Sequence, residues 1–437
     1  LLKLRLKSSL FFPLCLLTGV GIFSLLPFFL QLCFIPLTKV NIFIAIAVCA
    51  ILVNIRADKS LQLLKLKWQE ANMRIRLYEI PFIVVIAFLV FVSVWRCFYF
   101  PPTPRDLTSG AEVIADYAVK EKTMINSVFT VSLETTNNQY KPPFITSLQV
   151  IYKYAGFPFG QLWLSTIFIS FLLFLYGALS MHLHRLIAGF LLVVFLVIPE
   201  MYAYSFMVLY DYSNAVFFTV SVYFLLPYFR SGDRVSLVFS ALMMAMATYA
   251  RSETLVLAGF LSLAIAWHHI KHWDGLMKIA KTMIIFLLPS FLIYVLTVII
   301  YNNWYLPSAY AVGDLINPHL LNPVPFFERF WQLNTRLIFS EDGVNYYAYF
   351  IFFFLLVLVL DLIWTDRWEW ESSNWIFPII VVYIGLPFLG YLLPLMDLDN
   401  STKRGLFKIF PLMLLYMGSS GVLRGFSQRI TQWEEKA

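Results

Sequence analysis

Apolar runs about as long as a bilayer is thick recur from one end of this chain to the other. That repetition constrains the fold more than any single motif. An α-helix needs roughly 20 apolar residues to cross the hydrocarbon core. About twelve such runs can be read, near 10–32, 40–55, 80–99, 159–180, 186–202, 212–229, 235–250, 253–269, 281–301, 346–364, 375–394 and 405–423. In lipid each run must satisfy its own backbone hydrogen bonds, which makes helices the default. A β-barrel would show short alternating segments, and the unbroken apolar stretch 351–360 does not alternate. The expected fold is all-α: a polytopic helical membrane protein of about 12 transmembrane helices, forming one domain over residues 1–437.

Charge placement supplies the expected orientation. With Lys3, Arg5 and Lys7 on the cytoplasmic side, the basic stretches 56–76, 182–185, 230–234, 271–281 and the tail with Arg424 and Arg429 fall on that side too. Both termini are then cytoplasmic, and the net charge of +7 requires no nucleic acid to explain it. The 56–76 stretch alternates basic and apolar residues, which suits a helix on anionic membrane lipid or a plain positive-inside connector. The first apolar run is long and no clear cleavage site follows it, so it reads as a retained span. Cys15, Cys33, Cys49 and Cys97 have no paired spacing, and the six histidines form no metal pattern.

Two longer polar segments interrupt the apolar pattern, and both fall on the outer face in this topology. The first large outer loop, 101–157, holds a segment 110–118 that places Val113, Ile114 and Tyr117 on one helical face and Glu112 and Asp116 on the other. It is expected as a short amphipathic helix at the membrane surface. The second, 302–345, is interrupted by Pro307, Pro318, Pro323 and Pro325, with a further interfacial helix expected over 326–339.

Ionisable residues at membrane depth are costly and tend to face cavities, so each is a functional candidate. Asp106 directly follows a span, although it could equally cap the 109–117 segment. Asp211 and Glu253 stand at the outer starts of spans, where capping or dipole complementation also accounts for them. Arg251 is not needed for that and suits an anion. Lys403, Arg404 and Lys408 concentrate positive charge at a helix start, a natural phosphate site, or else snorkel to headgroups. Asp397 and Asp399 could offer oxygens to a divalent metal, or pair with the neighbouring cations; no cofactor is otherwise required. Lys141 joins the cations, and Tyr140, Tyr202, Tyr204 and Tyr346 could stack on sugars or form an interfacial belt.

Taken together, these outer groups suit transfer from a phosphate-bearing lipid, with a carboxylate as base and cations stabilising the departing phosphate. The order of motifs resembles the GT-C glycosyltransferases, in particular the branch of aminoarabinose and protein-mannosyl transferases. The resemblance rests on Pro104-Arg105-Asp106, the 110–118 helix, Tyr140-Lys141-Pro142-Pro143, the aromatic stretch 201–212 ending near Asp211, and Arg404-Gly405-Leu406-Phe407-Lys408-Ile409-Phe410-Pro411. Two features depart from that pattern: two spans precede the first large loop, and Leu107 follows Asp106 where a second acid is common. The resemblance implies a GT-C-like fold, a polyprenyl-phosphate sugar donor, an inverting displacement and Asp106 as general base. Arg251, Lys403, Arg404 and Lys141 would then hold the donor phosphate, with Asp211, Glu253 and Tyr140 at the substrate. The acceptor could be a lipid, a glycan or a protein. Two rival readings stay open: a ligase or polymerase using a polyprenyl-diphosphate glycan, with His319, Arg329 and Arg336 in the late loop, and a transporter or flippase.

Overall fold

The computed structural model describes residues 4, 6–54, 57–70, 75–102, 110–130, 141–157, 159–273, 275–306, 324–364, 370–392 and 401–436. Among these residues every regular element is helical and none is a strand. Each of the twelve apolar runs contains a helix. Among the described residues seven helices are long and apolar enough to cross a membrane, or nine if each of two bent pairs is one span. The remaining three, Lys39–Val53, Arg185–Leu196 and Arg234–Ala250, have 15, 12 and 17 residues. One cause of the shortfall is local. Pro199 starts a separate helix, Pro199–Ala203, and so divides the 186–202 run. A second is the 90° bend between Glu341–Tyr347 and Phe350–Trp364, where Ala348 turns the chain at a φ of +51°. These lengths and compositions fit a multi-pass membrane protein.

The centre is a helical hairpin. Tyr210–Ser231 and Arg234–Ala250 run antiparallel through a tight corner at Gly232, whose φ of +68° suits glycine, and Asp233. The Asp233 carboxylate caps the second helix, accepting from the backbone N–H of Val235 (3.0 Å) and Ser236 (3.2 Å). Midway along, Ser221 and Ser240 each donate to the other's carbonyl oxygen, at 2.8 and 2.7 Å. Such reciprocal bonds between small residues hold helices together where the surroundings supply no hydrophobic drive. Ser8–Leu32, Leu162–Leu179 and Ile409–Ser419 pack around this core, whereas Ile80–Tyr99 lies at the periphery with few buried side chains.

In the first polar segment the expected helix forms over Ala111–Glu121. Its face with Ala111, Glu112, Ile114, Ala115 and Ala118 is buried against a second helix, Phe144–Tyr154. Glu112, expected on the polar face, lies inside. It accepts from Lys153 Nζ at 2.6 Å, and the same ammonium reaches Asp116 at 2.7 Å. Burying one carboxylate was acceptable because the partner helix brings its counter-ion. The second expected interfacial helix is present as Phe326–Gln332 continued by a wider turn, Leu333–Ile338.

Helices approach closely where side chains are smallest. At Gly177 an added Cβ would come within 2.8 Å of the Ser9 carbonyl oxygen on the first helix. Gly177→Val therefore forces these helices apart, at a cost of about 1–3 kcal/mol. The expected outcome is a lower thermal unfolding midpoint of the detergent-solubilised protein; an unchanged midpoint would contradict this packing.

Candidate functional site: a buried charge cluster at one end of the bundle

The hairpin register decides where the site lies. Asp211 is the second residue of its first helix and Arg251 follows the last residue of its second, so the antiparallel pair brings both to the same end. Asp211 Oδ1 meets Arg251 Nη1, and Asp211 Oδ2 lies 3.4 Å from Arg404 Nη1. The carboxylate is 2% exposed. Asp211 is thus not a helix cap; the N-cap is Leu209, which makes no side-chain bond. An isolated carboxylate at this depth would be strongly unfavourable, and two guanidinium partners make it tolerable.

Arg251 turns its other side to Glu253, where Nε meets Oε1 as an ion pair rather than as an aligned hydrogen bond. Burial alone would push the Glu253 carboxyl up. The charges of Arg251, Lys408 and Lys141 outweigh it and hold the group below its ordinary value of 4.5. Asn214 braces this end by donating to Ala247 O and Thr254 Oγ1, both at 2.7 Å. Beyond the hairpin, Lys403 Nζ lies 3.1 Å from Glu200 Oε1 and 3.6 Å from the centre of the Tyr346 ring. Lys141 Nζ stands 5.1 Å from the centre of the Tyr210 ring. Tyr204 stacks edge-on against Phe407 at 4.7 Å; burial pushes its phenol up to about 12, so it stays neutral.

The structure therefore joins Asp211, Arg251, Glu253 and Arg404 through direct ion pairs, with Lys408 and Lys141 acting on Glu253 through their charge. Lys403 pairs with Glu200. Glu200 is a partner that sequence reasoning missed. The available signal was an acid at the end of an otherwise apolar run. Tyr210 was missed as well, because an aromatic at a helix start looks like any interfacial residue. Asp106, Tyr140, Asp397, Asp399 and His319 lie outside the described residues. Among the described residues no group of three or more His, Cys, Asp or Glu side chains could hold a metal ion. Arg329 is buried against Gly390, and Arg336 is exposed.

Among the described residues, the basic side chains Lys141, Arg251, Lys403, Arg404 and Lys408 gather here with the carboxylates Glu200, Asp211 and Glu253. Three helical stretches also begin here: Tyr210–Ser231, Thr254–Lys271 and the one starting at Lys403. None of them has a side-chain cap. Their positive dipole ends add to the cationic field. The arrangement can stabilise an anion and hold it in a fixed place. Compared with known proteins, the chain matches no family model, no curated protein and no solved structure.

The depressed Glu253 carboxyl contributes stability at pH values above 4.5, and that contribution is lost as pH falls through its lower folded value. Wild type should therefore exceed Glu253→Gln in thermal midpoint at neutral pH, with the gap closing as pH drops below 4.5. A gap independent of pH would show that the carboxylate charge is not what the cluster uses.

Proposed function

We propose that this protein is a membrane glycosyltransferase that moves a sugar from a polyprenyl-phosphate donor to an acceptor hydroxyl at the outer face, with inversion. The observation that carries the reading is the largely buried, arginine-bearing cluster around Asp211, set where helix N-termini converge at one end of an apolar bundle. A lipid phosphate needs such a place: cations and helix dipoles at the depth where the headgroup meets the hydrocarbon. The motif order around Asp106, Lys141 and Arg404 supports the same class.

In this reading the acceptor oxygen attacks the anomeric carbon and its proton passes to the Asp106 carboxylate. The bond between that carbon and the phosphate oxygen breaks, and polyprenyl phosphate leaves as an anion. Arg251 and Arg404 stabilise the charge that grows on the leaving oxygen. Asp211, between the two guanidiniums, is a positioning residue and not a second base. A large apolar cavity, lined by Gly385 on the Trp370–Leu392 helix, gives a lipid tail somewhere to lie. Leu386, the next residue of that helix, packs so tightly on Gly405, next to Arg404, that no Cβ would fit there.

A labelled polyprenyl-phosphate sugar and the purified protein test this. Asp106→Asn should retain donor binding and lose transfer, while Arg404→Gln should lower transfer by about 10²–10³-fold. Transfer by Asp106→Asn at the wild-type rate would remove the base from the reading. Loss of activity in His319→Ala but not in Asp106→Asn would favour the diphosphate-glycan ligase.

A further inference from the structure

The chain makes its 90° turn between Glu341–Tyr347 and Phe350–Trp364 at an alanine. Ala348 has a φ of +51° and a ψ of −142°, a conformation that glycine adopts freely and a residue with a Cβ does not. Lys122 also has a positive φ, +62°, but its ψ of 28° lies near the ordinary left-handed well. Ala348 lies far outside that well. A backbone of this kind persists only where the surroundings over-determine it, and such positions gather at ligand clamps and switches.

The surroundings of this turn are specific. At the start of the short helix the Ser340 hydroxyl accepts from the Gly343 N–H at 2.9 Å. Gly343 itself lies so close to the Leu337 carbonyl oxygen that no Cβ would fit there. At the other end Tyr347 is buried, with its ring 5.0 Å from that of Phe410 and its hydroxyl donating to the Lys403 carbonyl oxygen at 3.5 Å. The neighbouring Tyr346 ring lies with its centre 3.6 Å from Lys403 Nζ, which also reaches Glu200 Oε1 at 3.1 Å. Pro199–Ala203, the helix that carries Glu200, packs on the same short helix. These contacts leave the Lys403 side chain 12% exposed, whereas Glu341, Asp342 and Tyr349 face outward. The short helix thus lies over the edge of the charge cluster, and Lys403 stands next to Arg404.

We propose that Glu341–Tyr347 is a lid on the Asp211 cluster, hinged at Ala348 and latched by Tyr346 on Lys403. In the closed state the latch contacts outweigh the strain at the hinge. Rotation about Ala348 relieves that strain and uncovers Lys403 and Glu200, which opens a path for an anionic ligand to Arg404. A hinge of one or two residues at the end of an element is the usual means by which a lid absorbs such a rotation. The inference rests on the Asp211 cluster being a ligand site.

Amine acetylation of the purified full-length protein in detergent, followed residue by residue by mass spectrometry, reads the lid directly. N-hydroxysuccinimide acetate is the probe. Lys403 reports the lid, the exposed Lys436 calibrates the reagent, and the buried Lys408 reports loosening of the bundle as a whole. Ala348→Gly removes the strain from the closed state and should slow acetylation of Lys403 by about fivefold relative to wild type. Ala348→Val places a β-branched side chain at a positive φ and should speed it by about as much. Lys408 should stay unreactive in both variants. Equal Lys403 rates in wild type and Ala348→Gly would overturn the proposal, as would a gain in Ala348→Val that Lys408 shares. These rates need no substrate. A protein that binds no polyprenyl phosphate would therefore defeat the glycosyl-transfer reading and leave the response at Ala348 standing.

Discussion

The carboxylate of Asp211, held between Arg251 and Arg404, is the interaction on which the arrangement of this bundle turns. Three segments far apart in sequence can meet inside an apolar protein only if their charges cancel locally. Desolvating each ion costs several kcal/mol, and removing one partner from such a set leaves an uncompensated charge that typically costs about 3–5 kcal/mol. The Asp211 cluster therefore fixes the relation between the central hairpin and the helical stretch that starts at Lys403. The guanidiniums gathered there, beside the N-termini of the helices, suit an anionic ligand.

Hairpin geometry makes this possible. The corner at Gly232 and the Asp233 cap set where the second helix begins, and the Ser221–Ser240 bonds hold its register against the first. With both helices near the thickness of the hydrocarbon core, Asp211 and Arg251 emerge together at one end, while Arg230 and Arg234 emerge together at the other.

The helical character of the chain was legible because hydrophobicity along the chain is a direct physical requirement of a bilayer. The candidate cluster was partly legible for the same reason: Arg251 and Arg404 stand out because charge at those positions is expensive. Two things were hidden. Helix length depends on local breaks, such as Pro199 and the turn at Ala348, which periodicity does not weigh, so twelve runs became seven to nine candidate spans. Tertiary partners are also invisible in a single sequence. Glu112 looked solvent-facing because its counter-ion, Lys153, comes from a helix 41 residues on, and nothing in the sequence pairs Lys403 with Glu200, some two hundred residues before it.

The central claim is that the Asp211 end recognises a lipid-borne phosphate, and binding of the simplest such lipid measures it directly. Polyprenyl phosphate and polyprenol differ only in that group, so their affinities for the purified protein isolate what the cluster contributes. The account predicts that polyprenyl phosphate binds at least about tenfold more tightly than polyprenol, and that Arg251→Gln/Arg404→Gln erases the difference. Equal affinities for the two lipids, or a phosphate preference that survives in the double variant, would contradict it.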